Sequence, residues 1–158
     1  METMLCENLK KVEDNVDAAC RKAGRSRDEV TLIAVSKTKP VEMLSTIYNQ
    51  GIRDFGENKV QEMCDKMEQL PSDIRWHMIG HLQTNKVKYI VGHTTLIHSV
   101  DSLHLAKEIE KQAEKKDVTV DILVEVNIAE EESKFGIHKE ETYELVRQIA
   151  SLPHVHIR

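Results

Sequence analysis

Lys37 follows an apolar stretch, at a position where its amine could act as a nucleophile. Residues 30–36 have the sequence VTLIAVS, and Pro40 lies three residues beyond the lysine. An apolar run of this kind predicts a strand that is buried on both faces, as in a parallel α/β sheet. Since ligands of such sheets bind at the carboxyl ends of the strands, we expect Lys37 at a ligand-binding edge.

Two interpretations of Lys37 follow from its place in the sequence. In one, the aliphatic stem covers apolar surface and the ammonium group stays in water. In the other, partial desolvation favours the uncharged amine, which can attack a carbonyl carbon and form a Schiff base. Strand alternation places Ile33, Val35 and Lys37 on one face, an apolar setting that suits the second interpretation. Position alone favours the solvated lysine.

Other polar groups lie near the predicted strand ends. Gly56, Glu57 and Asn58 form a turn after a short strand, where an amide could meet a ligand or merely complete the turn. His77 and His81 share a strand parity at the end of a later strand and could be ligands, acid–base groups or core histidines. The sequence has no H-E-x-x-H motif and no cysteine–histidine cluster, so we expect no metal site. Glycine-rich nucleotide-binding motifs are also absent from it.

Helices and strands alternate along the whole chain. Hydrophobic periodicity and end signals predict helices at 3–23, 40–50, 59–69, 83–91, 102–116 and 139–151, and strands at 30–36, 52–55, 75–80, 95–100, 120–127 and 155–158. Asp101 is the predicted cap of the fifth helix. This alternation is typical of a parallel α/β sheet, either doubly wound or closed as an eight-stranded barrel. The sequence predicts one incomplete domain over residues 1–158, because only five strands and the start of a sixth are present.

The composition narrows the class of protein. The chain has 158 residues and a formal net charge of −5, which argues against nucleic acid as the main partner. Its sequence contains no apolar stretch of membrane-spanning length, and its first residues lack the pattern of a secretion signal. The three cysteines are odd in number and form no C-x-x-C pair. We therefore expect a cytoplasmic protein with reduced thiols.

Several motifs together resemble one protein family. They are IAVSKTKP at 33–40, FGENKVQE at 55–62, WHMIGHLQTNK at 76–86, HSVDS at 98–102, VEVNI at 124–128 and ESKFG at 132–136. In this order they closely resemble the pyridoxal phosphate homeostasis proteins, which are related to the N-terminal barrel of alanine racemase. The resemblance covers nearly the whole chain from about residue 5.

The resemblance implies a (β/α)8 barrel of the TIM type, with about the first five βα units present in this chain. It implies that pyridoxal 5′-phosphate binds at the carboxyl-terminal mouth as a Schiff base on Lys37, lined by Asn58 and His77. The implied role is vitamin B6 homeostasis without catalytic turnover, with pyridoxal-phosphate-dependent apo-enzymes as partners. The full-length barrel would be a monomer, whereas a truncated chain would self-associate.

Alternatives to this role stay open at the level of sequence. A racemase-like enzyme would use the same cofactor, but it would need a second acid–base residue and an additional β domain. A lysine-dependent aldolase would form its Schiff base with substrate. The third alternative is an inactive fragment of the barrel.

The family barrel continues beyond Arg158, and its phosphate-binding serine and glycine residues and the arginine that faces the pyridine nitrogen lie there. The phosphate group would therefore lose charge-assisted hydrogen bonds. We expect the present chain alone to bind the cofactor weakly.

Overall fold

Six parallel strands pair in the order in which they occur in the chain. The computed structural model describes residues 2–158. The strands are β1 (Ala34–Val35), β2 (Asp54–Glu57), β3 (Arg75–Met78), β4 (Thr94–Val100), β5 (Val120–Val124) and β6 (Val155–Ile157). The α-helices are α1 (Glu2–Ala23), α2 (Val41–Asn49), α3 (Val60–Met67), α4 (Val87–Ile90), α5 (Leu103–Lys116) and α6 (Thr142–Ile149). Short 3₁₀ segments lie at Arg27–Glu29, Thr84–Lys86 and Lys139–Glu141.

The strand order decides between the two predicted architectures. A doubly wound sheet reverses its strand order at a switch point and carries helices on both faces. Here the order runs from β1 to β6 without reversal, and every neighbouring pair is parallel. Right-handed crossovers in one direction place the helices on a single face. The fold is therefore the α/β arrangement of a (β/α)8 barrel, of which six strands are present.

The hydrophobic core lies between the sheet and the helices. Trp76 and Met78 of β3, Ile97 of β4 and Ile122 of β5 are buried there. They alternate along their strands with residues of the opposite face, as the period of two requires. α5 contributes buried residues at helical spacing, namely Leu105, Ala106, Ile109 and Ala113. The apolar side chains of the strands and of the helices thus meet between the sheet and the helix layer.

The first strand differs from its prediction. Residues 30–36 were expected to form a strand buried on both faces, but only Ala34 and Val35 pair with β2, and Val35 is 53% exposed. Among residues 2–158, β1 is an edge strand with β2 as its neighbour. The apolar run is therefore covered by the helix layer on one face only, and the prediction of two-sided burial is wrong.

The predicted turn after β2 begins later than the sequence indicated. Gly56 and Glu57 belong to β2 and pair with His77 and Met78 of β3, so the turn starts at Asn58. Strand pairing prevailed over local turn propensity because Gly56 has β-strand neighbours on both sides. The predicted turn at residues 56–58 is therefore wrong for its first two residues.

The cap of α5 is Ser102 and not Asp101. The Ser102 hydroxyl oxygen accepts a hydrogen bond from the Leu105 backbone N–H at 3.1 Å. Asp101 instead accepts a hydrogen bond from the backbone N–H of Gly136, at 3.2 Å. Both residue types are good caps, so the sequence could not distinguish them without the distant Gly136.

The other predicted helices and strands are present, mostly with shorter bounds. The predicted helices at 83–91 and 139–151 each begin with a 3₁₀ segment, and α4 itself extends only over Val87–Ile90. α1 extends over 22 residues and ends at the predicted residue, Ala23. Within residues 2–158, no helix combines the length and the apolar composition that crossing a membrane would require.

Replacing Ile97 with alanine tests the core. The Ile97 side chain is fully buried, and its truncation should lower the free energy of unfolding by about 2–5 kcal/mol because it leaves a cavity. Urea unfolding followed by circular dichroism measures the change. The matched control is Ile128→Ala, since Ile128 is 70% exposed and its truncation should cost less than about 0.5 kcal/mol. Equal costs for the two variants would contradict this location of the core.

Candidate functional site

Lys37 and Asn58 both lie at the edge of the sheet that is formed by the carboxyl ends of its strands. Val35 pairs with Gly56, and Lys37 and Asn58 each lie two residues beyond this pair. The backbone N–H of Ser36 donates to the Gly56 carbonyl oxygen at 2.9 Å, which extends the pairing by one residue. The carboxyl ends of β1 and β2 thus bring together two of the three residues singled out from the sequence.

The Lys37 amine is accessible to solvent. The residue is exposed in the turn after β1, and within residues 2–158 its ammonium nitrogen has no hydrogen-bond or ion-pair partner. An amine in this environment can reach a small molecule without first breaking another contact. Solvent access does not by itself decide between the two interpretations of Lys37, a solvated lysine and a Schiff-base lysine. The choice depends on the groups that lie beside Lys37.

An apolar surface lies close to the ends of β1 and β2. A Cβ atom added to Gly56 would lie 3.2 Å from side-chain atoms of both Ile33 and Ile79, so these side chains cover the glycine. Val35 pairs with Gly56 and shares its face of the sheet. A flat ring can pack on an apolar surface of this kind, which is the usual lining of small-molecule sites.

The position of Asn58 depends on Gly80. A Cβ atom at Gly80 would lie only 2.5 Å from the Asn58 carbonyl oxygen, so only glycine permits this approach. An open cavity of about 350 Å³ lies beside Asn58, and Lys59, His81 and Lys86 also line it. The segment after β3 therefore supports the turn that carries Asn58.

His77 lies deeper in the sheet than the other two predicted residues. It pairs with Gly56, two residues before Asn58, and its side chain is buried. Its Nε2 lies 2.9 Å from Asp54 Oδ1, and its Nδ1 lies 3.0 Å from Nε2 of His98. Both ring nitrogens are thus engaged with protein groups. Contact between His77 and a cofactor stays a prediction.

Asp54 orients this pair of histidines. Burial pushes the pKa of Asp54 upward, but hydrogen bonds from Arg75 and His77 outweigh it and lower the pKa overall. The ionised carboxylate accepts the Nε2–H of His77, whose Nδ1 is then an acceptor for the Nε2–H of His98. The pKa of His98 is lowered by burial and by His77. The sequence analysis missed Asp54 and His98, because only the strand register brings them together.

A buried ion cluster lies beneath the turn that carries Lys37. We define it as Glu57, Glu62 and Lys66. The Lys66 ammonium nitrogen lies 2.6 Å from Glu57 Oε1, 2.7 Å from Glu62 Oε1 and 2.8 Å from the Ser36 carbonyl oxygen. The Ser36 hydroxyl donates to Glu57 Oε1 at 2.6 Å. From sequence, Lys66 resembles any solvated helix lysine, so no local signal indicated its burial.

His81 lies three residues beyond the end of β3, and not directly at its end as predicted. β3 ends at Met78, and the exposed His81 ring stacks on Phe135 with centroids 3.8 Å apart and planes 9° apart. The shared strand parity of His77 and His81 is therefore wrong. No group of three or more histidine, cysteine, aspartate or glutamate residues within positions 2–158 is arranged to hold a metal ion.

Comparisons with known proteins cover almost the whole chain. Residues 8–158 match the family model described as alanine racemase, N-terminal domain. A pyridoxal phosphate homeostasis protein from Aquifex aeolicus is 44% identical over 153 residues, which is 96% of this chain and 67% of that protein.

Two solved structures extend the similarity. An unknown protein from Bifidobacterium adolescentis has a TM-score of 0.90 at 30% identity, covering 99% of this chain and 68% of that one. PipY of Synechococcus elongatus, solved with pyridoxal phosphate bound, has a TM-score of 0.75 at 32% identity, covering 90% of this chain and 67% of that one.

The pKa of His98 leads to a prediction about stability and pH. Because that pKa is lowered on folding, the native state binds fewer protons than the unfolded state below about pH 6.5. Stability from this group is therefore present above that pH and is lost as the pH falls. The decrease in unfolding free energy between about pH 7.5 and about pH 5.5 should be smaller in His98→Gln than in the wild type.

Urea unfolding at the two pH values measures this difference. His93→Gln serves as the control because His93 is exposed, and it should keep the decrease seen in the wild type. An unchanged decrease in His98→Gln would show that burial of His98 has no such effect.

Proposed function

We propose that the chain, which belongs to the pyridoxal phosphate homeostasis protein family, binds pyridoxal 5′-phosphate through a Schiff base on Lys37 and acts in vitamin B6 homeostasis. The observation that carries the proposal is the exposed Lys37 amine at the carboxyl edge of the sheet, next to Asn58. The bound cofactor in PipY, a protein of the same fold at 32% identity, supports the choice of ligand.

The residues around Lys37 fit this cofactor. Lys37 supplies the nucleophile, and the cofactor supplies an aldehyde carbon. A C=N bond would form between them, and the aldehyde oxygen would leave as water with the two hydrogens of the uncharged amine. Ile33, Val35 and Ile79 provide an apolar surface for one face of the pyridine ring. This surface excludes water from one side of the new bond, which slows its hydrolysis.

Asn58 and His77 have different proposed parts. Asn58 is at the same edge as Lys37, where its side-chain amide can hydrogen-bond a polar substituent of the ring. His77 lies level with Gly56, two residues deeper than Asn58, and is held by Asp54 and His98. We place it in the floor of the site, where a fixed and buried ring lines the cofactor without exchanging protons with it.

The proposed role is to hold and deliver the cofactor without turnover, with pyridoxal-phosphate-dependent apo-enzymes as recipients. The name of the Aquifex aeolicus relative supports this role over that of a racemase. Racemisation of added alanine, above the rate given by free cofactor, would instead favour the enzyme.

Replacing Lys37 tests the Schiff base. Pyridoxal phosphate added to the wild type should give the visible absorbance of a Schiff base, and borohydride should fix the label on Lys37. Lys37→Ala should lose both signals because the nucleophile is gone. Peptide mapping by mass spectrometry identifies the labelled residue. Lys39→Ala is the matched control, an exposed lysine two residues away, and should keep them. Label spread equally over surface lysines would contradict the proposal.

A further inference from the structure

We infer that Glu62 and Lys66 of α3 are positioning residues for Lys37. They hold the peptide groups on both sides of this lysine and thereby fix the direction in which its side chain leaves the sheet. The inference rests on the proposed function, because it concerns how well the Lys37 amine is aimed at an aldehyde.

Lys66 holds the peptide group before Lys37. Its ammonium group donates to the Ser36 carbonyl oxygen at 2.8 Å and to Glu57 Oε1 at 2.6 Å. The side chain of Lys66 is 6% exposed and that of Glu57 is fully buried. Separating two buried charges would leave each one unpaired, which is strongly unfavourable. Lys66 is therefore fixed, and it fixes Ser36.

Glu62 holds the peptide group after Lys37. The Thr38 backbone N–H donates to Glu62 Oε1 at 2.6 Å, and the same oxygen accepts from Lys66 at 2.7 Å. The hydrogen bond from Lys66 lowers the pKa of Glu62, so the carboxylate is charged at neutral pH. Hydrogen bonds to a charged acceptor are shorter and stronger than neutral ones.

The backbone of Thr38 shows why such a hold is needed. Its φ angle is +63°, which is uncommon for a β-branched residue. A residue persists in that region only when its surroundings impose the conformation. Glu62 meets this requirement through the N–H of Thr38, so α3 determines the path of the chain at 36–38.

Packing alone does not require this cluster. Buried ion pairs can often be replaced by well-packed apolar groups without loss of stability, so the need for a packed interior does not by itself account for this cluster. The polar contacts of the cluster converge on the two peptide groups that flank Lys37. Neither Glu62 nor Lys66 needs to touch the cofactor for its loss to misdirect the lysine.

Glu62→Ala tests the inference while leaving Lys66 paired with Glu57. The Thr38 amide should exchange with solvent about tenfold faster, because its charged acceptor is gone. At a fixed, subsaturating concentration of pyridoxal phosphate, borohydride-trapped label on Lys37 should fall about fivefold, because fewer molecules hold the amine in the competent direction. Hydrogen exchange measured by NMR and quantitative peptide mapping give the two readouts.

Two further variants separate positioning from stability. Glu62→Gln keeps an oxygen that can accept from Thr38, and should recover most of the amide protection and most of the label. Glu68 is exposed and lies just beyond the end of α3. The control variant Glu68→Ala should therefore match the wild type in both readouts. The Glu62 side chain is 23% exposed, and thermal unfolding checks that each variant is folded.

The outcomes distinguish the inference from the proposed function. Unchanged exchange of Thr38 in Glu62→Ala would overturn the inference. Label on Lys37 of the wild type, with equal label in Glu62→Ala, would also overturn the inference and leave the proposed function standing. Absence of label on Lys37 of the wild type would overturn the proposed function and the inference with it.

Discussion

The local structure around Lys37 depends on the burial of one ammonium group. Lys66 is buried with two carboxylates and a strand-end carbonyl group as its partners. Because a buried charge must keep its partners, Lys66 ties α3 to Glu57 at the end of β2 and to Ser36 after β1. The relative positions of one helix and two strand ends therefore follow from a single charge requirement.

The two faces of the sheet carry different kinds of side chain. The face towards the helices carries the apolar core, including Trp76 and Ile97. The opposite face carries Asp54, His77 and His98, whose hydrogen bonds connect three neighbouring strands. These three side chains can be buried there because each finds a partner on a neighbouring strand. Lys37 and Asn58 lie outside both groups, at the carboxyl ends of β1 and β2.

The local sequence pattern predicted the helices and strands, but it did not predict the exposure of the edge strand or the cap of α5. Helical and strand periodicity indicated the alternation of α1 to α6 with β1 to β6, since periodicity depends only on neighbours in sequence. It overstated burial at Val35, because an edge strand and a central strand have similar composition. It also chose Asp101 over Ser102 as the cap of α5, because Gly136, which pairs with Asp101, is distant in sequence.

The sequence by itself determined the family, the parallel α/β class and the location of Lys37 and Asn58 at the ends of predicted strands. These follow from motifs and from short-range order. Only the tertiary structure decided that Lys66 and Glu57 are buried and that Asp54, His77 and His98 form a chain of hydrogen bonds. The physical reason is that these contacts join residues that lie on separate strands and helices and are distant in sequence. For the residues on strands, a shift of the pairing register by one residue would turn each side chain to the other face of the sheet.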